Sequence, residues 1–236
     1  MGQAIIPLLA AQDDLQLAGV WVRSPRQAVN LGLASDALLS TDVREVAAAA
    51  DVLIDFSLPE ATPGVVAAAS EAAIPLVIGV SGLAHAQLQL LDEAAASIAI
   101  VYDRNMSMGV ALLQNVVRQA AATLGAEFAV EIHETHHIHK LDAPSGTALK
   151  LGEAVALARG TDASDIHYEV ERRGEVAGDH SVIFCSPTEK LTFSHSVTTR
   201  QVFADGAIRA ARWVLTQAAG RYTMRDVLGE KITDSL

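Results

Sequence analysis

Four of the eight histidines fall within seven residues, as His133, His136, His137 and His139, and Lys140 follows them directly. A Pro144-Ser145-Gly146-Thr147 turn comes next. Packing has no use for such a cluster. Histidine titrates near neutrality and lysine can be tuned there, so the group suits proton transfer and the holding of anions. The turn reads as the start of a helix, where free backbone amides and the positive helix end favour a carboxylate.

Two chemistries compete for this stretch. His133-Glu134-Thr135-His136-His137 fits H-E-x-x-H, in which two histidines one helical turn apart hold zinc beside a glutamate base. A zinc hydrolase working through His133, Glu134 and His137 is therefore one expectation. It requires a helix. Phe128, Val130 and Ile132 instead alternate as in a strand over 127–133, and Pro144 stops a long helix.

The elements that must position these groups fall into two patterns. Buried strands are expected over 17–22, 51–56, 75–79 and 98–102, alternating with helices over 3–11, from Pro59 to about Ala73, and over 84–95. Such alternation means a parallel sheet covered on both faces, with ligands at the carboxyl ends of its strands. Those ends carry Arg23-Ser24-Pro25-Arg26, Phe56-Ser57-Leu58-Pro59, Gly79-Val80-Ser81-Gly82 and Asp103-Arg104-Asn105-Met106. After a helix over 107–124, strands at 127–133, 165–172, 178–185 and 189–197 alternate apolar with polar residues, the mark of an open sheet with one covered face. An amphipathic helix over 206–214 follows, with Trp213 expected in the core.

Composition narrows the partners. Half of the 236 residues are hydrophobic, enough for a sizeable core, and no apolar run reaches the roughly eighteen residues of a membrane span. The expected setting is the cytoplasm, with no membrane partner. A formal charge of −11 argues against nucleic acid, which needs a basic face, but not against a small acidic ligand in a locally positive pocket. Cys185 stands alone and reads as a small buried hydrophobe. His133 and His139 read as solvated loop histidines, and His167, His180 and His195 as surface or sheet histidines without a role.

From Glu131 to Ala148 the run E-x-x-E-x-H-H-x-x-K-x-D-A-P-S-G-T-A resembles the signature of the dihydrodipicolinate reductase family, with every fixed letter present. The resemblance extends from Met1 almost to the last residue. It implies an NADPH- or NADH-dependent reductase of the diaminopimelate and lysine route, acting on a small dicarboxylate and assembling as a homotetramer. His136 would be the acid/base residue and Lys140 a proton donor; His137, Lys140, Ser145, Gly146 and Thr147 would hold substrate. Gly2, Arg23, the loop Gly79-Val80-Ser81 and the loop Asp103-Arg104-Asn105-Met106 would line the cofactor. Val80 departs from the family's usual Gly-Thr-Thr, and Asp103 and Arg104 replace small or proline residues. The segment 161–171 is shorter than is usual in the family.

The implied fold is α/β: a Rossmann-like nucleotide domain, 1–106 with 201–236, and an α+β substrate and oligomerisation domain, 107–200, built on an open mixed sheet. Arg23 and Arg26 at the end of the 17–22 strand suit a 2′-phosphate, so the cofactor preference leans to NADPH or is dual. The first strand and its glycine-rich turn are missing from the pattern, since Met1-Gly2 resembles the end of the family's Gly-x-x-Gly-Arg-Met-Gly. One strand and a turn are therefore expected upstream of Met1, and the chain by itself is expected to bind NADPH weakly. A module that keeps the sheet and senses nucleotide without turnover is the non-enzyme alternative.

Overall fold

The computed structural model describes residues 1–24, 33 and 37–229. Two compact units emerge, Met1–Met106 with Phe203–Leu236, and Ser107–Val202.

In the first unit, α1 (Gly2–Leu9) buries Ile5, Ile6 and Leu9 and leads to β1 (Gly19–Trp21), which pairs in parallel with β2 (Leu38–Ser40). A second parallel sheet follows, built from β3 (Leu53–Asp55), β4 (Leu76–Ile78), β5 (Ala99–Tyr102) and β10 (Gly220–Tyr222), in the order β10-β5-β4-β3. Helices α2 (Val43–Ala48), α3 (Thr62–Ala72) and α4 (His85–Ala94) connect these strands. Alanines at 68 and 69 let α3 lie close to Leu76, Ile78 and Ile100, which are fully buried. Helix α7 (Gln201–Val214) approaches so closely that a Cβ at Gly206 would run into the Met106 carbonyl oxygen, and α8 (Met224–Val227) follows β10.

The strands β1 and β3 do not pair with each other. Between them lies a cavity of about 1170 Å³, lined along the whole length of both strands from Leu17 and Asp51 to Arg23 and Ser57, with Ile5, Ile6 and Leu9 of α1 at one wall. The cavity also accounts for one correction: the 17–22 stretch is half-covered over its strand residues rather than buried.

In the second unit, β6 (Ala129–His136), β7 (His167–Arg172), β8 (Asp179–Cys185) and β9 (Lys190–Ser196) form a mixed sheet in the order β7-β6-β8-β9, with only the β6–β7 pair parallel. Helices α5 (Met108–Leu124) and α6 (Gly146–Arg159) supply Leu113, Val117, Leu151 and Val155 to a core shared with Ile132, Val182 and Phe184. The alternating exposure along β9 leaves the other face open, as the sequence pattern indicates. Cys185, expected inside, ends β8 and is exposed, because the strand's buried run stops at Phe184. Trp213 is half-covered and stacks edge-on against Tyr222, with ring centroids 5.0 Å apart.

Candidate active site

Strand β6 extends three residues beyond the expected 133, and this decides the chemistry of the histidine run. Burial alternates along it, so Ile132, Glu134 and His136 share the covered face while His133 and Thr135 point the other way. The helix required by the zinc arrangement is not formed, and His133 and Glu134 lie on opposite faces of a strand. His133 bonds Glu131 and Glu169 across the sheet surface instead, at 3.3 and 3.1 Å. It is a strand residue, not the loop histidine expected.

Glu134 is the hub of the site. Its side chain is wholly inaccessible, so its oxygens must find donors within the protein. Oε1 accepts from the Ser145 amide at 3.1 Å and from Arg172 Nη2 at 3.0 Å, while Oε2 lies against His136 Nδ1. With Nδ1 committed to Glu134, Nε2 is the His136 nitrogen left for a ligand. Gly178 keeps that edge clear, since a Cβ there would sit 3.0 Å from Nε2.

His180 completes the buried group. Its ring meets His136 edge-on, with centroids 5.0 Å apart, and its Nε2 lies 3.2 Å from Ser145 Oγ. Ser145 Oγ already accepts from the Ala148 amide as the N-cap of α6, so its own proton is available to His180. Burial pushes the His180 imidazole down to about 3, and the charges of His136, His195 and Lys140 act in the same direction. Burial also lowers His136; Glu134 opposes this, and Lys140 and Arg172 reinforce it. A histidine read from the sequence as having no role therefore belongs to the group. His195 is half-covered and lies 3.3 Å from Ser107 Oγ, the N-cap of α5, and His167 is exposed at the start of β7.

Lys140 and the α6 start sit beside this group. Lys140 Nζ bonds the Asp142 carboxylate at 2.8 Å, and that carboxylate also accepts from the Gly146 amide. Partial burial works against the Asp142 charge, yet Lys140 and the amides hold its carboxyl below the ordinary aspartate value. The helix start and Lys140 thus hold a carboxylate of the chain itself, that of Asp142. His137 is half-buried with an unpartnered Nδ1, and its ring lies 6.0 Å from that of His139, which is exposed and paired with Glu175.

In the first unit, Gly2 and Arg23 both line the cavity between β1 and β3, together with Phe56, Ser57 and Leu58. The Ala4 and Ile5 amides bond the Met1 carbonyl, so the amides of Gly2 and Gln3 precede the helical ladder, a setting that suits an anion, and Arg23 lines the same cavity. Gly79 has a tight role, because any Cβ there would enter the Phe56 ring. The Val80 and Met106 side chains are core residues, leaving only their backbone for a ligand. Asp103 is buried and accepts from the Asn105 and Met224 amides, so its carboxylate braces α8, while Ser81 and Arg104 flank these loops. Arg26 lies outside the described residues.

The sequence pattern assigns no role to Arg172, Gly178 or His180, and gives Glu134 one only in the zinc arrangement, which the strand does not form. The alternation of Phe128, Val130 and Ile132, continued by two steps, reaches Glu134 and His136. No local signal marks Arg172, which comes from the pairing of β6 with β7.

Comparison with known proteins agrees with this architecture. The chain matches the family model "Dihydrodipicolinate reductase, N-terminus" over residues 1–106 and the model "Dihydrodipicolinate reductase, C-terminus" over 109–228. It is 40% identical to the 4-hydroxy-tetrahydrodipicolinate reductase of Halorhodospira halophila, over 97% of this chain and 95% of that protein. It is 43% identical to the enzyme of the same name from Caulobacter vibrioides, over 98% and 94% respectively. Among solved structures, a dipicolinate-bound dihydrodipicolinate reductase from Paenisporosarcina sp. TG-14 superposes with a TM-score of 0.80 at 21% identity, over 94% of this chain and 92% of that one. Fold and comparisons together define the class, a reductase with a parallel Rossmann-like sheet in one unit and, in the other, a mixed sheet that carries a buried group of one glutamate and two histidines. The chain belongs to the dihydrodipicolinate reductase family.

The buried imidazoles make stability depend on pH with a definite sign. His180 titrates near 3 in the folded state and near 6.5 when unfolded, so below 6.5 the unfolded chain binds more protons and stability falls as pH drops toward 3. His136 and His195 shift in the same direction. Melting should therefore weaken from pH 7 to pH 5, by up to about 1.4 kcal/mol per pH unit for each fully buried imidazole. The slope should be shallower in His180→Gln; equal slopes in the two proteins would show that His180 is not the group responsible.

Proposed function

We propose that the chain catalyses the NAD(P)H-dependent reduction of 4-hydroxy-tetrahydrodipicolinate to tetrahydrodipicolinate in the diaminopimelate route to lysine. The observation that carries this reading is the union of His136, oriented through Nδ1 by Glu134, with a Lys140 and helix start that already hold a carboxylate. The nicotinamide, when bound, supplies the hydride. The chain's own residues bind the ring and move protons. One substrate carboxylate takes the position of the Asp142 carboxylate, at the Gly146 and Thr147 amides with Ser145 fixing the turn, and His137 adds a donor. Loss of the hydroxyl as water, and the addition of hydride to the conjugated imine that remains, both require a proton at the ring; the proposed donors are the Lys140 ammonium and His136 Nε2, which is bare in the neutral ring and can give a proton only after taking one up as the imidazolium.

The cofactor is held by Gly2 at the α1 start, by Arg23, and by the loops Gly79-Val80-Ser81 and Asp103-Arg104-Asn105-Met106. Arg23 favours a 2′-phosphate, so NADPH is preferred or both cofactors serve. A homotetramer joined through the open face of the mixed sheet, in the cytoplasm, completes the reading; sedimentation at micromolar concentration measures the assembly.

Replacing His136 by Gln or Lys140 by Met should lower kcat by about 10²–10⁴ with little change in cofactor affinity, whereas His139→Gln should cost little. Full turnover in both site variants would refute the assignment. Arg23→Ala should raise the KM for NADPH more than that for NADH. Equal effects on the two would remove Arg23 from cofactor choice.

A further inference from the structure

Arg172 is the last residue of β7 and stands in register with His136 of β6, a pairing extended by the Arg173 amide bonding the His136 carbonyl at 2.8 Å. Its guanidinium is largely covered and uses four of its five N–H groups within the protein. Nη2 donates to Glu134 Oε1 at 3.0 Å and to the Asp142 carbonyl at 2.5 Å, Nε to the Lys140 carbonyl at 3.3 Å, and Nη1 to the Glu171 carbonyl at 2.8 Å. One side chain therefore joins the carboxylate that orients His136 to the backbone on both sides of Leu141.

From this geometry we infer that Arg172 is a positioning residue, which fixes Lys140 relative to His136 by tying the 140–142 loop to Glu134. The loop has few other anchors. Leu141 is almost wholly exposed, the Lys140 amide reaches only back to His137, and the Lys140 side chain is held by Asp142 of the same loop. Without the guanidinium, Lys140 and Asp142 would lose their direct link to Glu134 of β6 and keep only the indirect one, from the Asp142 carboxylate to the Gly146 amide at the start of α6. Arginine suits this task for a geometric reason, because a planar fork can satisfy a carboxylate and two carbonyls at once, whereas an ammonium offers one point of charge. The neighbouring Arg173 shows the contrast: it is well exposed and pairs only with Glu171.

The charge has a second effect on the same pair. The groups facing His136 are Glu134 on its own strand, Arg172 on β7, His180 on β8 and Lys140 on the loop. Arg172 offsets the Glu134 carboxylate, and its removal leaves that carboxylate to favour the imidazolium. A variant lacking the positive charge should thus titrate His136 at higher pH, while one that keeps the charge but loses the fork should not.

The inference rests on the proposed roles of His136 and Lys140, and two variants separate it from them. In Arg172→Lys, kcat should fall about 10- to 100-fold, the scale of a misplaced catalytic group, with only a small change in KM. In a Lys140→Met background the same change should cost less than about threefold, since neighbours acting through one group are not additive, while in a His139→Gln background the full loss should persist. His136 titration followed by NMR, without substrate or cofactor, should move upward in Arg172→Gln and stay in place in Arg172→Lys. Equal losses in all backgrounds, or a His136 titration that ignores Arg172→Gln, would overturn the inference. Absence of turnover in the unaltered protein would instead overturn the assigned reaction, and the NMR result would still decide the role of Arg172.

Discussion

A carboxylate removed entirely from water must be met by donors, and the second unit is arranged around that requirement at Glu134. Its partners come from three elements: the Ser145 amide at the start of α6, the Arg172 guanidinium at the end of β7, and the His136 imidazole two residues along β6. Oε1 has two of these donors and Oε2 only His136, so loss of the imidazole strands a buried oxygen, which costs about 1–3 kcal/mol or more for a charged group. Fold and site are thus one construction. The bonds that settle Glu134 also hold the helix start, the histidine ring and the Lys140 loop in a fixed relation.

The same economy governs the surroundings. Ser145 caps α6, donates its amide to Glu134 and offers its hydroxyl to His180, so one residue ends a loop and joins two buried polar groups. Gly178 contributes by lacking a side chain, leaving the outer edge of His136 uncovered. In the first unit the corresponding constraint is close approach, of α7 to Met106 at Gly206 and of the Phe56 ring to Gly79. The long cavity between β1 and β3 is the exception in that unit, since it separates two sheets whose strands all run parallel to their partners.

Much of this was legible in the chain because periodicity and the histidine run are local signals. The strands around Ile54, Val77 and Ile100 stand out as short apolar runs, and the Glu131 to Ala148 signature points to His136 and Lys140. Strands β2 and β10 do not stand out, because Leu-Leu-Ser and Gly-Arg-Tyr lack the apolar run and the burial that mark β3 and β4 at the same length, and their pairing comes from parallel neighbours far along the chain. The apolar alternation stops at Ile132, because the next two covered positions of β6 are the polar Glu134 and His136, so their shared face is not marked by periodicity. It also left His180 without a role, although its place opposite Glu134 in the β6–β8 register brings it next to His136. Arg172 is the plainest case of information absent from any local window, since 36 residues and a crossover helix separate it from the histidine it faces.

The central claim is that the buried Glu134 carboxylate fixes which nitrogen of His136 is free to exchange a proton. Nitrogen-15 NMR of the imidazole, recorded above the pH at which it titrates, reads that directly. The account predicts a neutral ring protonated at Nδ1 and hydrogen-bonded there, with Nε2 bare. A ring protonated at Nε2, with Nδ1 free of any hydrogen bond, would contradict it.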